Sequence, residues 1–87
     1  MGEYLKNIIL GNQIILSKKS NDMDIYLLRM INGLYAVLIG KDDNLIYSRS
    51  FLPERNKRAA LKKAKQYYQK AKQLITVKQF ELIEEIT

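Results

Sequence analysis

The first half of the chain consists of short apolar runs separated by turn-forming residues, a pattern typical of antiparallel strands. Turns are predicted at Gly11-Asn12, Asn32-Gly33 and Asp42-Asp43. Asn32-Gly33 is the strongest of these signals, because both residues tolerate the positive φ that a two-residue hairpin turn requires. The pattern therefore predicts an antiparallel β-meander of four to five strands, at about residues 5–10, 13–18, 24–31, 34–40 and 45–51.

A two-residue turn at Asn32-Gly33 would set the register of the meander and so sort its side chains between two faces. In that register Met30 opposes Tyr35, and one face is largely apolar: Tyr26, Leu28, Met30, Tyr35, Val37 and Ile39, extended by Ile46, Ser48 and Ser50. The other face mixes apolar, aromatic and basic groups: Ile25, Leu27, Arg29, Leu34, Ala36, Leu38, Tyr47, Arg49 and Phe51. A single helix covers only one face, so we expect the second face to be free, or covered by the N-terminal hairpin or a second subunit.

The segment from about Pro53 or Asn56 to Leu74 has the spacing of an amphipathic helix. Its predicted buried arc comprises Ala60, Leu61, Ala64, Tyr67, Tyr68, Ala71, Leu74 and Ile75. Its polar side carries a stripe of Arg58, Lys62, Lys65, Gln69 and Lys72, with Lys63 and Lys70 on the other flank. Thr76 and Gln79 fit a capping box, which predicts a short C-terminal helix; a strand is the alternative for residues 76–86.

These elements describe an α+β fold in which the meander is packed on one face by one long basic helix, with a short C-terminal helix. A chain of 87 residues is expected to form one small domain, here residues 1–87. The chain contains no apolar run near the roughly 20 residues that span a bilayer, and its N-terminus lacks the features of a signal peptide. We therefore expect a cytoplasmic protein that does not enter membranes.

The net charge of +6 is concentrated in one segment. Residues 53–76 contain eight basic side chains and one acidic side chain. Residues 1–52 contain six basic and five acidic side chains, and residues 77–87 contain one basic and three acidic side chains. A local positive field of this kind attracts an anionic partner. The alternative interpretation of the same segment is the solvated outer face of an amphipathic helix.

Candidate chemistry for catalysis is sparse in this sequence. The chain has no cysteine and no histidine, which removes thiolate metal sites and the commonest general base. The stretches Asn21–Asp24 and Lys41–Asn44 are acidic, but each has the composition of a turn and too few oxygen ligands for a dedicated metal site. We therefore expect no enzymatic activity, no metal and no cofactor.

The order of elements in residues 24–75, three strands followed by a helix with arginines on a sheet face, is broadly similar to the sheet-type DNA-binding domains of some integrases and plant regulators. This likeness rests on the order of elements and not on a residue motif, and it assigns no role to any residue.

The leading hypothesis is a small nucleic-acid-binding protein, with duplex DNA as the foremost partner. Phosphate contacts are predicted from six residues of the basic helix: Arg55, Lys57, Arg58, Lys62, Lys65 and Lys72. Cations near a helix N-terminus oppose the helix dipole, and a bound phosphate would relieve that conflict. Arg29 and Arg49 are predicted to add contacts from the free face of the sheet.

The alternative hypothesis is a protein-binding module or inhibitor encoded by a virus or plasmid. It would dock an acidic host protein, or a second copy of itself in a homodimer, through the apolar sheet face. The predicted interface residues are Leu38, Tyr47 and Phe51, and the positive charge would steer association.

Overall fold

The computed structural model describes residues 4–52 and 57–86, and it describes only the backbone of Lys57. The elements in chain order are α1 (Leu5–Ile9), β1 (Gln13–Ser20), β2 (Met23–Arg29), β3 (Tyr35–Lys41), β4 (Asn44–Phe51), α2 (Lys57–Thr76) and a 3-10 helix, α3 (Phe80–Glu85). The predicted helix start at Pro53 or Asn56 lies outside the described residues, as does Arg55.

The four strands form one antiparallel sheet in the order β1-β2-β3-β4, and α2 packs against it. This confirms the predicted fold class: a meander, a long helix on one face and a short C-terminal helix. Within the described residues, no helix is both long and apolar enough to cross a membrane.

The predicted register between β2 and β3 is wrong by one residue. The loop contains three residues, Ile31–Gly33, and is closed by a 2.8 Å hydrogen bond from Met30 N–H to Leu34 O. Gly33 ends it with a φ of +88°, as in a turn followed by a glycine bulge. Leu27 rather than Leu28 therefore opposes Val37. As a result, the β2 side chains that were predicted to share a face with Tyr35, Val37 and Ile39 lie on the other face of the sheet.

The predicted faces of β4 are also wrong. Asp42 and Asp43 form the expected turn, with φ of +52° and +66°, but a register irregularity follows at Ile39/Gly40, where Gly40 pairs with Leu45 and Ile39 with Tyr47. This irregularity brings Tyr47, Arg49 and Phe51 onto the α2 face. Ser48 and Ser50 lie on the other face, with Leu38 and Ala36.

The core between α2 and the sheet is made of complementary surfaces. β2 and β3 contribute buried Met23, Ile25, Leu27, Tyr35, Val37 and Ile39, and α2 contributes Ala60, Ala64, Tyr67, Tyr68, Ala71 and Ile75. The three alanines allow the helix backbone to approach the sheet closely, while the two tyrosines fill the space beside them. The buried arc predicted for the helix is confirmed in its main positions, with Leu61 and Leu74 only partly buried.

The N-terminal segment of the chain covers the middle of the second face of the sheet, while Ile14, Ser48 and Ser50 on that face stay exposed. The predicted first strand, residues 5–10, is instead the short helix α1, and Gly11-Asn12 connects it to β1 rather than forming a hairpin. Leu5 packs on Leu28, Ala36 and Leu38, with Ile8 and Ile9 around them. The sheet thus has a core on each face.

Helix α1 is held at its N-terminal end by the turn between β3 and β4. Leu5 N–H donates to Asp43 O at 2.8 Å, and Lys6 N–H donates to Asp43 Oδ1 at 2.9 Å. Two of the backbone N–H groups that a helix start leaves unpaired are satisfied in this way. Gly40 lies beneath Leu5, where a Cβ would overlap Leu5 Cδ1 and Asn44 O.

The C-terminal end of α2 is held by the turn between β1 and β2. Asn21 and Asp22 have φ of +51° and +63°, which confirms the turn predicted in this stretch. Asn21 Nδ2 donates to Ile75 O at 2.8 Å and to Thr76 O at 3.1 Å. A side chain far away in sequence therefore adds donors to the last carbonyls of α2, one of which, Ile75 O, also accepts from Lys78 N–H.

The predicted capping box at Thr76 and Gln79 is wrong. Thr76 is the last residue of α2, and its hydroxyl donates to Lys72 O at 2.8 Å. Lys78 has a φ of +59°, and bonds from Lys78 N–H to Ile75 O and from Gln79 N–H to Leu74 O complete a Schellman motif. The short helix that follows is 3-10, and its cap residue Gln79 makes no side-chain capping bond.

The cap from Asn21 can be tested with two glycine substitutions in one turn. Asn21→Gly keeps the positive φ but removes both hydrogen bonds to α2, so we expect it to lower the free energy of unfolding by about 1 kcal/mol. Asp22→Gly at the neighbouring positive φ should leave stability unchanged or raise it, since glycine relieves backbone strain there. Urea denaturation of both variants makes the comparison, and equal effects would contradict the cap.

The close contact beneath α1 can be tested with Gly40→Ala. The added Cβ must displace Leu5 or the backbone at Asn44, so we expect a loss of about 1–3 kcal/mol and faster amide exchange in α1. In a Leu5→Ala background the cost should shrink without vanishing, because the contact with Asn44 O remains. A loss below about 0.5 kcal/mol in the single variant would show that the contact is not tight.

Candidate nucleic-acid interface

The outer side of α2 is the most cationic surface of the described chain. Arg58, Lys62, Lys63, Lys65 and Lys70 are exposed, and Lys72 is half-buried. The opposite side of the helix is locked into the core through its alanines and tyrosines. The sheet thus fixes which way the cations face, and a rigid element presents them.

The cations form two rows along the helix. Arg58, Lys65 and Lys72 follow one another at intervals of seven residues, and so do Lys63 and Lys70 on the opposite flank. Seven residues are two turns, so neighbours within a row are about 10.5 Å apart along the axis. Between the rows lie exposed Lys62, Gln66 and Gln69.

A shallow groove of about 750 Å³ runs along this outer side. Arg58, Leu61, Lys62, Lys65, Gln66, Gln69 and Lys70 line it. Cations from both rows and both glutamines therefore border one surface. Such an arrangement can accept an extended anion through charge and hydrogen-bond donors together.

A smaller cleft of about 340 Å³ lies between β4 and α2. Its lining combines basic and aromatic side chains: Arg49, Phe51, Lys63, Gln66, Tyr67 and Lys70. Gln66 and Lys70 also border the outer groove, so the two depressions are neighbours on the helix surface.

Arg49 is held in this cleft from two sides. Its Nη1 donates to Ile86 O at 2.8 Å, which ties β4 to the end of the chain. Its guanidinium also lies 5.4 Å from the centre of the Phe51 ring and 5.2 Å from that of Tyr67. The two rings meet edge to face with centres 5.8 Å apart. These contacts orient a charged group that remains exposed to solvent.

Tyr67 stays neutral beside this arginine. Burial raises the pKa of the Tyr67 hydroxyl. Nearby Arg49 lowers this pKa, and Tyr47 raises it by a smaller amount. The hydroxyl is therefore protonated at neutral pH, and it contributes no negative charge to the cleft.

In residues 4–52 and 57–86, the acidic groups lie outside α2. The two turns at one end of the meander contribute Asp22, Asp42 and Asp43, at the end where α2 terminates. The 3-10 helix adds Glu81, Glu84 and Glu85. The acidic turns thus lie at the C-terminal end of α2, whereas the acidic 3-10 helix is tied to Arg49 through Ile86 O.

The structure leaves Arg29, Tyr47, Arg49 and Phe51 on the α2 face of the sheet and places Leu38 on the other face. Arg29 is exposed at the end of β2, opposite Tyr35, and does not share a row with Arg49. Leu38 is buried beneath α1, whereas Tyr47 and Phe51 lie half-buried on the α2 face. The prediction of one free face carrying all of these residues is therefore wrong, because both registers differ from the expected ones.

The residues predicted on the helix are placed together where they are described. Arg58, Lys62 and Lys65 border the outer groove, and Lys72 extends their flank. Arg55 and the side chain of Lys57 lie outside the described residues. Lys63 and Lys70 were not predicted as contacts, although their seven-residue spacing marks a second row in the sequence.

The structural role of Arg49 can be tested against that of Arg29. Arg49→Lys keeps the charge but loses the planar group that meets Ile86 O and two rings, so we expect stability to fall by about 1 kcal/mol. Amide exchange in residues 83–86 should quicken. Arg29→Lys, at an exposed strand end, should change neither quantity, and equal behaviour of the two variants would refute the anchoring role of Arg49.

Comparisons with known proteins identify no relative of this chain. No protein-family model matches the chain, and neither the comparison with curated proteins nor that with solved structures produced a match.

Proposed function

We propose that this protein binds nucleic acid, with duplex DNA as the foremost partner, through the outer side of α2. The observation that supports the proposal is the placement of two cationic rows on the flanks of one rigidly packed helix. Arg58, Lys62 and Lys65 supply phosphate contacts, and Lys63 and Lys70 supply them from the other flank. The role is binding, without catalysis.

The dimensions of α2 suit the major groove of a duplex. An α-helix with its side chains is about 10–12 Å across, and the groove is about 12 Å wide. With the helix in the groove, the two rows approach the backbones of the two strands. Gln66 and Gln69 then point toward the base edges, where glutamine can pair with adenine.

Base contacts in this proposal come from the helix and not from the sheet. One sheet face is packed under α2 and the other is covered by α1 at Leu38 and Ala36. The acidic turns lie where α2 ends, which favours an approach through the first turns of the helix. Long-range attraction would orient the protein before contact.

The alternative function, a protein-binding module that docks through an apolar sheet face, loses the surface predicted for it. Leu38 is covered by α1, and Tyr47 and Phe51 lie on the opposite face beneath α2. The geometry favours the nucleic-acid proposal for that reason.

Salt dependence tests the proposed function. If α2 neutralises about four to six phosphates, the logarithm of the affinity for a random duplex should fall against the logarithm of salt concentration with a slope of roughly −4 to −5. Lys62→Gln/Lys65→Gln should weaken binding about tenfold and flatten the slope by about two. Fluorescence anisotropy between 50 and 200 mM salt, roughly the range over which such contacts are lost, measures both quantities.

A second pair of lysines provides the matched control. Lys18→Gln/Lys19→Gln removes the same charge from exposed positions of strand β1. It should change the slope much less, because these residues lie away from the outer side of α2. No binding at 50 mM salt, or equal slopes for the two double variants, would refute the proposal.

A further inference from the structure

The cleft between β4 and α2 brings cations from two elements to one place. Arg49 comes from β4, while Lys63 and Lys70 come from α2, two helical turns apart, with Gln66 between them. Three positive groups around one cleft repel one another in the free protein, and a bound anion would relieve that repulsion. The cleft therefore favours a ligand with more than one negative charge.

We propose that this cleft binds the 5′-phosphate of a nucleotide, either free or at the end of a strand. A phosphate monoester carries a charge of about −1.5 to −2 near neutral pH and has three acceptor oxygens. Lysines act on such a group as point charges, whereas arginine can bind it through two parallel hydrogen bonds.

Arg49 is already oriented for this task. The bond to Ile86 O and the contacts with Phe51 and Tyr67 hold the guanidinium plane, so little side-chain entropy is lost when a ligand binds. A guanidinium has five N–H donors in a fixed fork, and a further pair of them can meet a phosphate.

The size and lining of the cleft indicate that more than inorganic phosphate is bound. About 340 Å³ falls within the range of small-molecule sites, and Phe51 and Tyr67 supply aromatic surface beside the cations. That the organic part is a nucleoside rests on the proposed function. Gln66 and Lys70 border both this cleft and the outer groove, so a strand on α2 could place its end here.

The experiment titrates ¹⁵N-labelled protein at constant ionic strength and follows amide signals of residues 63–70 and the side-chain Nε–H of Arg49. The probes are thymidine 5′-monophosphate, thymidine, inorganic phosphate and phenyl phosphate. We expect saturable shifts with the nucleotide, weaker binding of inorganic phosphate and phenyl phosphate, and no shift with thymidine. Two otherwise identical single-stranded oligonucleotides, one with a 5′-phosphate and one with a 5′-hydroxyl, then distinguish a strand end from a free nucleotide.

Adjacent lysines provide matched variants. Of these two depressions, Lys63 lines the cleft and not the outer groove, whereas Lys62 lines the outer groove and not the cleft, and both are exposed. Lys63→Gln should weaken nucleotide binding about tenfold, as expected for loss of a charge-assisted contact. Lys62→Gln should leave it within about twofold. Because both side chains are exposed, both variants should keep the spectrum of the folded protein.

Three results would overturn the inference: equal shifts with thymidine and its phosphate, equal losses in Lys62→Gln and Lys63→Gln, or phenyl phosphate binding as tightly as the nucleotide. Failure of the proposed function looks different. In that case duplex binding is absent at low salt while the nucleotide still shifts the cleft signals, and the cleft then serves a free nucleotide alone.

Discussion

The burial of β3 on both faces is the constraint on which the rest of the structure depends. Residues 35–40 are all buried, and their side chains alternate between two cores. A strand of this kind requires a cover on each side of the sheet. Helix α2 supplies one cover, and the five-residue α1 supplies the other, so even the N-terminal segment becomes part of the packing.

Two hairpin turns at one end of the sheet form hydrogen bonds with the two covering helices, α1 and α2. Asp43 pairs with N–H groups at the start of α1, and Asn21 pairs with carbonyls at the end of α2. Helix ends leave such backbone groups unpaired, and burying them without partners is costly. The turns therefore position the ends of both helices as well as reversing the chain, while the packing of α2 on the sheet fixes the direction in which it presents its lysines.

The functional proposals follow from that fixed orientation. The buried alanines and tyrosines of α2 leave its cations on two flanks, one of which meets Arg49 across a cleft. Arg49 has both a structural role and a proposed binding role, because the hydrogen bond that anchors Ile86 also orients the guanidinium. A charged surface on a well-packed helix is better organised for binding than the same lysines on a mobile segment.

The sequence by itself determined the α+β meander, the long helix with its buried arc, the acidic turns and the position of the excess charge, because these depend on local periodicity and turn chemistry. Only the tertiary structure decided which faces meet. One extra loop residue at Ile31 and the irregularity that follows Ile39 each moved side chains to the other side of the sheet, and neither leaves a clear local pattern. Residues 5–9 form a helix rather than the predicted strand, and this helix packs on the second apolar face, which local patterning does not reveal. The cleft around Arg49 exists because the bulged β4 turns that arginine toward α2.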